Sequence, residues 1–156
     1  RLRGLDASAT YQLAPRWLAG AKGSLVRGRD QRRDEWLIFM PADRAELTLR
    51  HDFRTPAAAA GPAGSYVQLG GAAVARQSRV PANYAERDYR LPPAGYALLG
   101  LEAGTTLHWG RQALEISLAG TNLLNHRYRS YLNRYRYFTD EMGRNFTLRV
   151  RVPLAF

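Results

Sequence analysis

Residues 143–156 read Gly143-Arg144-Asn145-Phe146-Thr147-Leu148-Arg149-Val150-Arg151-Val152-Pro153-Leu154-Ala155-Phe156. Phe146, Leu148, Val150, Val152, Leu154 and Phe156 occupy every even position. Asn145, Thr147, Arg149, Arg151, Pro153 and Ala155 lie between them. Side chains on a strand alternate between its two faces. The pattern therefore predicts a strand with one continuous apolar face and one face carrying two arginines. Wound as a helix, the same residues would be smeared around the circumference.

The same period recurs upstream. Residues 112–122 set Leu114, Ile116 and Leu118 against Glu115, Ser117 and Thr121. Residues 96–109 set Leu99, Leu101, Ala103, Leu107 and Trp109 against Tyr96, Glu102, Thr106 and His108. Residues 65–77 alternate more weakly, with Val67, Leu69 and Ala73 opposite Gln68 and Arg76. Residues 44–53 place Leu47, Leu49 and Phe53 opposite Glu46, Thr48, Arg50 and Asp52. Residues 17–27 and 2–13 complete seven candidate strands. At about 10–14 residues they are long beside the usual 5–6 of globular strands, and they suit a membrane crossing of about 9–11.

The links carry an independent signal. Ala14-Pro15-Arg16 and Gly110-Arg111 are tight turns, and Arg54 to Ala63 is intermediate. The segments 28–42, 78–95 and 123–142 are long and polar. Short and long links alternate, so a meander collects short turns at one end and long loops at the other, as transmembrane barrels do. Trp17, Phe53, Trp109 and Phe156 fall at the short-turn end, where an interfacial aromatic girdle belongs. The expected fold is an all-β, antiparallel, up-and-down transmembrane β-barrel segment.

Composition excludes several alternatives. The 156 residues contain no cysteine, which removes disulfide scaffolds, cysteine-ligated zinc and iron–sulfur clusters. No apolar run reaches the length of about 18 residues that a membrane helix needs. The net charge of +10 comes almost wholly from arginine, since Lys22 is the one lysine. Such a balance suits phosphate-rich lipid, an anionic ligand or nucleic acid. The start Arg1-Leu2-Arg3, without methionine or a leader, points to a piece of a longer or processed protein.

Thr121-Asn122-Leu123-Leu124-Asn125 with Tyr128 resembles the Asn-Leu-x-Asn-x-x-Tyr segment near the end of TonB-dependent outer-membrane receptors. Tyr131-Leu132-Asn133-Arg134-Tyr135-Arg136-Tyr137 resembles the loop that follows it, and Gly143-Arg144-Asn145 opens a last strand ending on Phe, as in that family. Met40-Pro41-Ala42-Asp43-Arg44 and Pro93-Ala94-Gly95-Tyr96 resemble the family's lead-ins to earlier strands. The resemblance spans residues 1–156 in order and implies the last seven strands of a plugged barrel of roughly 22. It implies residence in the Gram-negative outer membrane as a multi-pass barrel and a role in active uptake of a scarce nutrient, with ferric siderophore or haem as the expected ligand class. The implied partners are outer-membrane lipid and lipopolysaccharide, the protein's own plug domain and remaining barrel, and the iron chelate. TonB would be met through a TonB box in an N-terminal part that this sequence lacks, as it lacks the plug. The barrel-assembly machinery would read Leu148, Val150, Val152, Leu154 and Phe156 by strand addition.

Two further residue groups are candidates. Glu46, Arg50, Asp52, Glu102, Glu115, Arg149 and Arg151 would face the lumen, to hold a plug or to form cross-strand ion pairs. Arg127, Arg129, Tyr131, Arg134, Tyr135, Arg136 and Tyr137 interleave charge with aromatic rings in an outer loop, suited to an anionic ligand or lipid, or else to packing over the barrel end. The same interleaving in a soluble module would grip single-stranded nucleic acid, but no recognition-module signature accompanies it and no nucleic-acid partner is expected. A small complete barrel is a third reading, at odds with an odd strand count. His51, His108 and His126 lie on separate segments without ligand spacing, and Met40 and Met142 fall in loops, so no metal site or cofactor is expected. No nucleophile elbow, phosphate loop or dinucleotide fingerprint is present, and no enzyme is expected. Cut from its barrel, the segment would keep two unpaired edges and is expected to aggregate in water.

Overall fold

A computed structural model of the chain describes residues 1–53, 62–88, 90–109 and 112–152. The strands are β1 (Leu2–Ala14), β2 (Trp17–Asp30), β3 (Glu35–Trp36), β4 (Arg44–Phe53), β5 (Pro62–Val74), β6 (Tyr96–Trp109), β7 (Gln112–Thr121) and β8 (Asn145–Arg151). The short helix α1 (Tyr84–Arg87) and a 3-10 turn (Arg134–Tyr137) lie in two of the long loops. One antiparallel sheet runs β1-β2-β4-β5-β6-β7-β8, and β3 pairs with the far end of β2 off this path.

The seven expected long strands are present, with three instructive differences. β2 continues to Asp30, because Arg29 and Asp30 pair with Trp36 and Glu35 across a turn in which Asp30 Oδ1 accepts the Arg32 amide at 2.9 Å. β5 ends at Val74, short of 77, because Gln77 turns inward and donates to the Met40 and Pro41 carbonyls at 2.7 and 3.0 Å. β7 stops at Thr121 because Asn122 takes a left-handed backbone, φ 49°, that no strand continues through. Pro153, Leu154, Ala155 and Phe156, and most of the link from Arg54, lie outside the described residues.

Register carries each face across the sheet, and the irregularities fall at strand ends, between Gln12 and Ala14 of β1 and between Pro62 and Gly64 of β5. Leu148 stands opposite Leu118, which stands opposite Ala103, then Val67, His51 and Trp17 in turn. On the reverse face Arg149 leads through Ser117, Gly104 and Tyr66 to Asp52. A shift of one residue anywhere would exchange the faces.

No described residue covers the apolar face. Leu5, Leu47, Leu118, Phe146, Leu148 and Val150 are each more than half exposed, and Phe146 and Val150 stand at 62% and 56%. Tyr84 and Tyr131 are the buried hydrophobic residues among those described, and both sit in the long loops. A water-soluble sheet of this size would hide such a surface under a second layer. Among the described residues the wall has one layer, and away from its two edges the backbone polar groups are paired along the ladder, as hydrocarbon would require.

Candidate functional site

Among the described residues, polar side chains converge on the polar face and at the long-loop end. On the polar face, Arg50 of β4 donates through Nε and Nη2 to Asp52 Oδ1 at 2.9 and 2.7 Å. Its guanidinium lies 3.9 Å from the centroid of the Tyr66 ring on β5. The Tyr66 hydroxyl donates to Glu102 Oε1 on β6 at 2.5 Å. The ring lies flat on the wall because Gly104 offers no side chain beneath it: a Cβ there would meet Tyr66 Cε1 at 2.5 Å. A guanidinium, a ring and a carboxylate thus bridge three strands, with a cation–π contact at the centre.

Beside this group a depression of about 240 Å³ is lined by Tyr66, Glu102, Thr106, Glu115, Arg149 and Arg151. Arg151 approaches Glu115 at 3.7 Å with both side chains well exposed, a weak pair in water. Arg149 has no ion-pair partner among the described residues. Glu46 pairs with Arg44 of its own strand. All seven sequence-selected charges therefore share one face. Arg50, Asp52 and Glu102 join a single network through Tyr66, which sequence reasoning did not single out. The signal for it was a glycine two positions past Glu102 in register with a tyrosine.

At the other end the loops 31–43, 75–95 and 122–144 form a cap with a charged hub. Arg136, in the 3-10 turn, and Asp88, after α1, are 3% and 7% exposed. Arg136 Nη2 meets Asp88 Oδ2 at 2.5 Å and donates to the Tyr137 hydroxyl at 2.8 Å, while Nη1 donates to the Tyr131 carbonyl at 2.6 Å. The Tyr84 and Tyr137 hydroxyls donate to the Asp88 carboxylate. The Arg136 guanidinium also lies 4.5 and 5.0 Å from the Tyr137 and Tyr131 rings. Burial, reinforced by the carboxylate, pushes the Tyr84 and Tyr137 phenols above their ordinary range.

The third loop of the cap is tied in by Tyr131, whose hydroxyl accepts the Phe39 amide at 3.1 Å. Phe39 holds φ 59°, an uncommon backbone for an aromatic residue, with its ring stacked on Tyr131. Arg87 reaches Glu35 at 2.9 Å. Asp43 binds Arg27 at 2.5 Å and Arg79 at 2.8 Å, and these bonds, Arg27 foremost, hold its carboxyl below the ordinary range.

The interleaved arginine and tyrosine run divides by burial. Tyr131 and Arg136 are buried and spend their donors inside the cap. Arg129 is half-buried against Asp140 and the Arg136 carbonyl, and Tyr137 is half-buried at the hub. Arg127, Arg134 and Tyr135 are exposed, Tyr135 at 72%. The Asn-Leu-Leu-Asn segment is a hinge made of two left-handed asparagines. Asn122 caps the His126 amide and carbonyl and the Met142 carbonyl, and Asn125 accepts the Arg144 amide. Of the terminal-strand residues, Leu148 and Val150 are outward on β8, Val152 follows it exposed, and Leu154 and Phe156 lie outside the described residues.

The chain superimposes on the copper transporter OprC with a TM-score of 0.74 at 20% sequence identity. The match covers 96% of this chain and 22% of that one, so the chain spans about a fifth of the length of the protein it matches. It has the fold of an outer-membrane barrel wall. No family model matches the sequence, and no curated protein does.

Proposed function

We propose that this chain is part of the barrel of a TonB-dependent-type outer-membrane receptor that takes up a scarce nutrient, with a ferric siderophore or haem as the ligand class. The observation that carries the reading is the pairing of an uncovered apolar face with a charged face, capped at one end by three interlocked loops. In a barrel the apolar face meets hydrocarbon and the charged face meets water and a plug. The network of Arg50, Asp52, Tyr66 and Glu102 then gives the lumen a rigid polar patch. Its neighbours Arg149 and Arg151 offer donors to plug carboxylates or carbonyls, and such exposed pairs exchange readily with water.

The choice of an anionic chelate rests on charge. Arg127 and Arg134 project from the cap, and a chain with a net charge of +10 attracts anions towards its mouth. The terminal run Leu148, Val150 and Val152, with Leu154 and Phe156, would serve the barrel-assembly machinery. Copper, the cargo in the matched structure's name, is the competing nutrient.

The test is uptake by cells whose full-length gene is deleted and restored. Labelled ferric chelates and haem should enter only restored cells, and only when the energy-coupling protein is active. Loss of copper entry with normal iron entry would replace the ligand class. Recovery of the protein outside the outer-membrane fraction would end the reading.

A further inference from the structure

Two cavities on the outward face adjoin one another at the long-loop end of β1 and β2. The lower is an apolar groove of about 490 Å³, lined by Leu5, Ala7, Leu25, Ala45, Ala73 and Ala75. Leu5, Ala7, Leu25, Ala45 and Ala73 lie on the apolar face by register, and the alanines keep the floor low beside the paired leucines. The upper is a cleft of about 440 Å³ whose lining includes Arg1, Arg3, Arg27, Arg29 and Trp36. Arg3 and Arg27 are paired in register and stand two residues beyond Leu5 and Leu25, so the cleft continues the groove on the same face.

The charge in the cleft is only partly spent. Arg27 is held by Asp43, which Arg79 shares. Arg29 touches Asp34 at 3.0 Å in a largely exposed pair, and lies 5.4 Å from the Trp36 ring centroid. Arg3 has no ion-pair partner among the described residues. Arginine, whose planar guanidinium presents a fixed fork of donors, is the usual partner for phosphate oxygens. The height also fits. From Trp17 in the aromatic girdle to Arg27, a rise of about 3.4 Å per residue tilted by about 45° gives about 24 Å along the membrane normal, close to the apolar band of about 25 Å.

We infer that this corner of the wall seats a phosphorylated lipid of the outer leaflet, its phosphate in the cleft of Arg3, Arg27 and Arg29, and one acyl chain along the groove from Leu5 and Leu25 to Ala73. A soluble anion would use the arginines but has no use for a groove that opens sideways into hydrocarbon. The inference rests on the membrane-barrel reading.

The test uses the full-length protein purified from outer membranes in detergent and read by native mass spectrometry. The probes are diphosphoryl lipid A, its dephosphorylated counterpart and inorganic phosphate. The variants are R3Q/R29Q, the groove-filling A45F, and R16Q, which removes one arginine at the opposite end. Diphosphoryl lipid should bind about tenfold more tightly than the dephosphorylated form. R3Q/R29Q should erase that preference, A45F should weaken both lipids, and R16Q should match the parent protein. Equal lipid binding by R3Q/R29Q overturns the inference. So does displacement of the lipid by inorganic phosphate with A45F behaving as the parent. A protein that fractionates with the outer membrane yet fails these tests sinks the lipid seat alone, whereas one absent from that fraction sinks the barrel reading with it.

Discussion

Replacing Asp88 by asparagine should loosen the loop cap while leaving the barrel wall intact. Asp88 is the carboxylate that neutralises Arg136, and both side chains are at or below 3% exposed. The other hydrogen bonds of Arg136 go to the Tyr131 and Asn133 carbonyls and the Tyr137 phenol, none of them charged, and its Nε has no hydrogen-bond partner among the described residues. Asp88→Asn therefore leaves a guanidinium buried without a counter-ion. Removing one member of a buried pair costs about 3–5 kcal/mol. The amide keeps one acceptor for Arg136 or a tyrosine, which favours the lower end. Since 1.4 kcal/mol is a factor of ten, amides of loops 75–95 and 122–144 should lose about a hundredfold in exchange protection. The assay is hydrogen exchange on the full-length protein in detergent, with strand amides as the internal reference. The double variant Asp88→Asn with Arg136→Met removes the stranded charge and should recover much of the loss, giving a large coupling energy. Unchanged loop protection in D88N, or a double variant worse than the sum of its parts, would refute the account of the hub.

Face assignment is tested by paired arginine substitutions on β7: Leu118→Arg should cost about 2–4 kcal/mol in folding titrations into bilayers, whereas the neighbouring Ser117→Arg should cost far less. Gly104→Val should drive the Tyr66 ring off the wall, break the bond to Glu102 and cost about 1–3 kcal/mol. Its signature is a lower unfolding temperature that Gly104→Val with Tyr66→Ala partly restores. Asn125→Ala puts a residue that tolerates left-handed backbone less well than asparagine at φ 52° and removes the acceptor of the Arg144 amide, so loop 122–144 should become the first site of proteolysis. The Asp43 carboxyl titrates below its unfolded value, so its contribution is present above about pH 4 and is lost as pH falls through the folded value. Protection of amides in loops 31–43 and 75–95, relative to their intrinsic exchange rates, should fall on acidification, and Asp43→Asn should show the lower protection already at neutral pH.

The strands were legible because period 2 is a local property of the chain. Leu47 and Leu49, or Leu148 and Val150, declare their face without reference to a partner. Strand ends were less so. The stop after Val74 depends on Gln77 reaching Met40 and Pro41, 37 and 36 residues away. The two-residue β3 is too short for any periodicity. The polar-face charges could be selected from alternation, but the Tyr66 bridge needed register, which brings Gly104 opposite Tyr66. The loop hub was hidden for a stronger reason. Arg134 and Arg136 look alike in a run of arginines and tyrosines, yet one is exposed and the other buried, because Asp88 lies 48 residues upstream. The left-handed asparagines at 122 and 125 were within reach, since asparagine tolerates that backbone better than most residues.

Every long strand of this wall pairs with its neighbour in the chain, and none crosses over. Such a segment can zip up hairpin by hairpin, each step closing a loop of modest length. What it cannot do by local steps is finish. β1 and β8 each present one rail of backbone amides and carbonyls with no strand beside it among the described residues. In the barrel proposed above, the rail of β1 meets the strand before it in the chain, whereas that of β8 must find a strand far away in sequence, and that seam is the pairing whose entropy grows with the whole barrel. A mutation in the middle of the sheet should therefore alter stability, whereas one on the free rail of β8 should alter the speed and fidelity of insertion.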